Sequence, residues 1–101
     1  MIPPLQQIRL RSISRWMQDN RKAEFQKLTR SGELNSRVTE LDSQMIEAFE
    51  ANRDSVMMAM MRAGTWGTED GLREYRMQCL TLWNETVSEF LGEITDQESE
   101  D

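Results

Sequence analysis

Apolar residues return along the middle of the chain in one helical rhythm: Leu34, Val38, Leu41, Met45, Phe49, Val56, Met60 and Ala63, with Asn52 as the single polar interruption. Steps of three and four place all of them on one stripe, so the spacing predicts a helix over 34–63. The same residue types recur eleven positions apart, Leu34 with Met45 and Val56, Val38 with Phe49 and Met60. That period predicts a straight or faintly right-handed helix rather than a left-handed coiled coil. Near the end of this stretch the stripe widens. Val56, Met57, Met60 and Met61 span roughly 140° at 100° per residue, and Met58 extends the arc to roughly 200°, more than one neighbouring helix covers.

A second stripe of the same rhythm, Leu72, Arg76, Cys79, Trp83, Val87, Phe90 and Ile94, predicts a helix over 69–94. Between the two stripes stands Gly64-Thr65-Trp66-Gly67-Thr68: glycines for a turn, an aromatic to pin it, and a threonine placed to cap the next helix, with Glu69 and Asp70 in the favourable first turn. Two helices of matching period across a short turn predict an antiparallel hairpin.

The N-terminal third is less regular. Pro3 and Pro4 give an extended lead-in, and a helix is expected from about Leu5 to Arg30, with Leu10, Ile13, Met17 and Leu28 on one side. Asn20, Arg21 and Glu24 break that side, so 18–22 is where the helix should kink or break. Ser31-Gly32 then ends it in a left-handed turn near 31–35, with Asn35 or Ser36 placed to cap the helix that follows. The expected fold class is all-α: a hairpin plus a less secure N-terminal helix, closed as a three-helix bundle or as a helix-exchanged dimer. Residues 1–95 form one domain on this reading, and 96–101 an acidic, disordered tail.

Charge adds a polarity that the apolar pattern does not contain. Residues 1–37 hold eight Lys and Arg against three Asp and Glu, net +5, whereas residues 38–101 hold four against fifteen, net −11. A basic first helix facing an acidic remainder is the plain consequence. The alternative is a nucleic-acid contact through a basic patch of Arg9, Arg11, Arg15, Arg21 and Lys22.

Chemistry is scarce. The chain has no histidine, which excludes imidazole-based triads and histidine-containing metal sites, and its single cysteine, Cys79, cannot build a thiolate cage or an internal disulfide. Glu47, Glu50 and Asp54 share a helix face, but on an acidic helix such a run reads as a solvated surface. We expect no enzyme, no cofactor and no metal. The longest apolar run, Val56–Met61, is far too short to span a bilayer, and no signal-peptide pattern opens the chain, so a cytoplasmic location is expected. The turn reads Trp66-Gly67-Thr68, without the intervening residue of the Trp-any-Gly bend in small secreted helical hairpins, and no family is assigned on it.

The functional expectation is a small helical interaction module, an adaptor, assembly chaperone or inhibitor. It would show a Met-rich surface to another protein, with a homodimer as the expected assembly. Trp16, Met57, Met58, Met61 and Trp66 are the candidate contact residues, because flexible Met and broad aromatics suit adaptable apolar surfaces. Arg76 should fall opposite the Asn52 region of the hairpin, so an Asn52–Arg76 hydrogen bond, or an Arg76–Asp54 pair, is expected to fix the register.

Overall fold

A computed structural model describes residues 3–92 and is all-α, with four helices: α1 (Gln6–Asn20), α2 (Lys22–Ser31), α3 (Leu34–Ala63) and α4 (Glu69–Leu91). The long apolar stripe has become α3 and ends at Ala63 as its spacing predicted, but it starts at Leu34 with Glu33 in the cap position and no side-chain cap, so Asn35 and Ser36 lie inside the helix rather than capping it. α4 stops at Leu91, short of the expected Ile94, because Gly92 leaves the helix at φ 78° and ψ 174°; the acidic tail lies outside the described residues.

Each boundary has a local cause. The N-terminal helix breaks within the polar gap, at Arg21, whose φ of −137° and ψ of 59° are not helical. Just before it the Asn20 side chain donates to the Trp16 carbonyl, a local side-chain bond of the kind that competes with helix. Gly32 (φ 77°) and Gly64 (φ 78°) end α2 and α3 in the left-handed region. In both cases the following residue donates five positions back, Glu33 to the Leu28 carbonyl and Thr65 to the Met60 carbonyl, closing a Schellman turn. Thr68 caps α4 as its position predicted: its hydroxyl accepts from the Gly71 N–H at 2.9 Å and donates to the Thr65 carbonyl at 2.8 Å.

The core sits at one end of the hairpin. Ile13, Trp16 and Met17 of α1, Val38, Met45 and Phe49 of α3, and Cys79, Trp83 and Leu91 of α4 form a single buried cluster. Phe49 and Trp83 meet edge to face across the α3–α4 seam, ring centres 5.6 Å apart. Phe25 and Leu28 of α2 close the cluster while staying partly exposed. α1 runs antiparallel to α3, with Arg9 against Asp42 and the later turns of α1 beside Asn35, Val38 and Thr39. α1 therefore reaches no further along α3 than the Met45 region.

Beyond that level the molecule is a bare two-helix arm. Over 50–63 only Met60 is buried, and over 69–78 only Gly71. The arm draws the chain out to 53 × 30 × 18 Å with a radius of gyration of 16.5 Å. A compact chain of about a hundred residues has a radius near 13 Å.

Both hairpin stripes are rotated from their expected azimuths. On α3 the buried line runs through Asp42 and Phe49, with Leu41 only partly covered. On α4 it runs through Gly71, Cys79, Trp83 and Thr86, and Leu72 and Arg76 turn outward. Thr86 enters the core at little cost because its hydroxyl donates to the Leu82 carbonyl at 2.7 Å. Gly71 faces the turn because any side chain would collide there, an added Cβ lying 1.9 Å from the Thr65 carbonyl oxygen.

Candidate functional site

The expected register pair does not form. Asn52 and Arg76 are both exposed, and neither side chain has a hydrogen bond or ion pair among the described residues. Asp54 instead meets Arg53 at 3.6 Å. The rotation of the α4 stripe explains the correction, because a guanidinium turned to water needs no acceptor in the seam.

A buried polar pin exists elsewhere. Arg9 grips Asp42 through two parallel bonds, Nε to Oδ1 at 2.6 Å and NH2 to Oδ2 at 3.0 Å, while NH1 donates to the Pro4 carbonyl at 2.7 Å. The two side chains are only 13% and 3% exposed. This forked pair ties the start of α1 to α3, 33 positions away in sequence. Arg9 therefore does not belong to an exposed basic patch, and Asp42 does not belong to a solvated face.

The remaining cations do not gather into one surface. Arg11 and Arg15 line a shallow groove of about 650 Å3 between α1 and α3, shared with Asp19 and Asn35. Arg21 lies over the Trp16 ring, 5.4 Å from its centre, and reaches Glu24 at 3.7 Å. Lys22 is exposed at the start of α2.

Among the contact candidates, Trp16 is corrected: it is 6% exposed and packs in the core, and its indole N–H is buried with no partner. It stands where α1 lies against the hairpin, one turn from Ile13 and beside Met17, so it is a packing residue. The other four candidates all fall on the arm. Met57 is partly buried, Met58 and Met61 are 55% and 56% exposed, and Trp66 rests edge to face on Tyr75 with ring centres 5.0 Å apart. α1 does not cover them.

α4 adds exposed apolar residues that the reading of its stripe passed over: Met77 at 69% and Leu80 at 47%, with Leu72 beside them. Their signal was present in the sequence, since Met77 and Leu80 lie three apart, as neighbours on one helix face do. With Met58, Met61 and Trp66, that makes six exposed apolar residues on the arm.

Glu47, Glu50 and Asp54 are exposed, and Arg53 lies within 3.9 Å of Glu50 as well as against Asp54. Among the described residues no group of three His, Cys, Asp or Glu is placed to hold a metal ion, and no helix is long and apolar enough to cross a membrane. Burial raises the Tyr75 phenol above its ordinary value of 10.0, and the neighbouring Cys79 thiol adds to that shift. No protein family, curated protein or solved structure matches this chain.

Proposed function

We propose that this chain is a non-catalytic protein–protein interaction module of the cytoplasm, of the adaptor, assembly-chaperone or inhibitor kind. Its three-layered end holds the hairpin rigid so that the arm can be offered to a partner. The observation that carries this reading is the exposure of Met58, Met61, Met77 and Leu80 on a segment that nothing else in the described chain covers. Methionine supports it further, because an unbranched, polarizable side chain adapts its shape to the surface it meets. The nucleic-acid alternative is weakened: Arg9 is committed to Asp42, Arg21 is turned to Trp16, and the arm itself carries both signs of charge.

The test is a photo-crosslinking residue placed at Met58 or Met61 and, as a control, at exposed Glu85 near the opposite end, followed in the source cell. Protein adducts at the arm positions and few at Glu85 are expected. Equal yields at the two ends, or none at the arm, overturn the proposal.

A further inference from the structure

We propose, building on the interaction-module reading, that the protein seated on the arm is a second copy of this chain. It docks α4 antiparallel to α4 so that Arg76 of each copy meets Glu69 of the other.

Charge permits a like partner. Residues 50–81 carry four Arg and five Asp and Glu, net −1, while residues 1–37 carry +5 and residues 82–101 carry seven acids and no base. Two arms, each close to neutral, therefore approach one another without net repulsion. Most charges on the arm are already used within the chain, Arg53 beside Glu50 and Asp54, Arg73 with Asp70 at 2.9 Å, and Glu74 accepting from Gln78. Glu69 and Arg76 are exposed and take part in no ion pair or side-chain hydrogen bond among the described residues.

Spacing makes the pair self-complementary. Glu69 and Arg76 are seven residues apart, two turns along α4, and their azimuths differ by only about 20° at 100° per residue. A two-fold axis crossing between them satisfies both charges at once, because an isologous contact of residue i with j brings j against i. The same register sets Leu72 close to the axis and brings Leu80 level with the Thr65–Trp66 turn of the other copy. These exposed apolar residues share one arc of α4 with the charged pair, and Met57 and Met61 flank it. Two hairpin arms packed this way make a four-helix bundle, the layer architecture that a lone hairpin lacks.

Sedimentation equilibrium, or light scattering on an eluting peak, measures the mass of the full chain. The protomer is 11.9 kDa, so twice that mass is expected for the native protein. Arg76→Glu and Glu69→Arg should each lose the dimer while keeping helical circular dichroism, since neither residue has an intramolecular partner to break. The double variant, carrying both exchanges, should recover the dimer mass. A native protein at 11.9 kDa, single variants that stay dimeric, or a double variant that stays monomeric overturns the proposal. A monomer whose arm still crosslinks to other proteins overturns this inference and leaves the interaction reading standing. A monomer without arm adducts overturns both.

Discussion

The two halves of the α3–α4 hairpin share a helical rhythm and a seam, yet only one of them is a folded core. From Leu34 to Phe49, α3 is flanked by α1, α2 and α4, and its inward side chains are buried in succession: Val38, Asp42, Met45 and Phe49. From Glu50 to Ala63 the same helix meets α4 alone and buries only Met60. A helix has a stripe to bury, and one neighbour covers less than the whole of a wide one. What distinguishes the halves is therefore the third layer, and the residues left without it are those on which the proposed interaction rests.

Removing a side chain from each half should expose the asymmetry most strongly. Phe49, 1% exposed and set against Trp83, should cost about 3–5 kcal/mol on truncation to Ala. Met61→Ala on the arm should stay within about 0.5 kcal/mol, as exposed substitutions do. Denaturant midpoints at constant m-value measure both. Equal losses would mean that the arm is buried in the free protein.

The Arg9–Asp42 pair decides whether α1 holds the three-layered half together. Breaking a buried pair from one side strands the other charge and costs about 3–5 kcal/mol, whereas replacing both members by apolar residues of similar size is often neutral. Asp42→Ala should therefore lower the midpoint steeply, and Arg9→Met with Asp42→Leu should restore it. If the double variant is as unstable as the single one, the pair supplies specificity that packing cannot replace.

At the tip, Gly71→Ala would press a methyl group into the Thr65 carbonyl oxygen and the Thr68 hydroxyl, 1.9 and 2.8 Å from the new carbon. The turn has to open and the Thr68 cap is lost, at a cost of about 1–3 kcal/mol by the scale of overpacking. Hydrogen exchange should show the damage confined to amides of 69–77, with those of Val38–Phe49 unchanged, because local opening draws on the least-packed unit. Loss of protection throughout would show that the arm and the core unfold as one.

Several of these features were legible in the residue pattern, and the rest were hidden for identifiable reasons. The run and end of α3, the break at Arg21 and the Thr68 cap follow from local chemistry: a long apolar period, a polar gap, and a threonine before two acids. The azimuths of the stripes did not follow. Asp42 looks like one more acid on an acidic helix until Arg9, 33 residues earlier, is seen to neutralise it. Thr86 and Gly71 look like the polar face until the Leu82 carbonyl and the Thr65 carbonyl show why they turn inward. Each is a non-local or backbone partner that side-chain hydropathy does not register. The rotation they impose is what moved Arg76 out of the seam and left Leu72 uncovered, which is why the candidate Asn52–Arg76 pair failed while Met58, Met61 and Trp66 were found on the arm.

The smallest expected effect lies in the arm and is read by pH. Tyr75 is the only tyrosine in the chain, so absorbance near 295 nm follows its ionisation alone. Burial, then Cys79, raises it above 10.0, which means that the folded arm favours the neutral phenol. An unfolded tyrosine releases its proton near pH 10. Above that value the unfolded state has lost a proton that the folded state still holds, so stability is intact below about pH 10 and falls as pH climbs through the folded value. Tyr75→Phe should remove this decline, and the difference between the two proteins isolates the phenol. Because Trp66 shields Tyr75 edge to face at 5.0 Å, Trp66→Ala should bring the phenol back toward its ordinary value. A Tyr75 that titrates at the ordinary value with Trp66 in place would mean that the tip stays open to water, and that even this small cluster does not hold the arm shut.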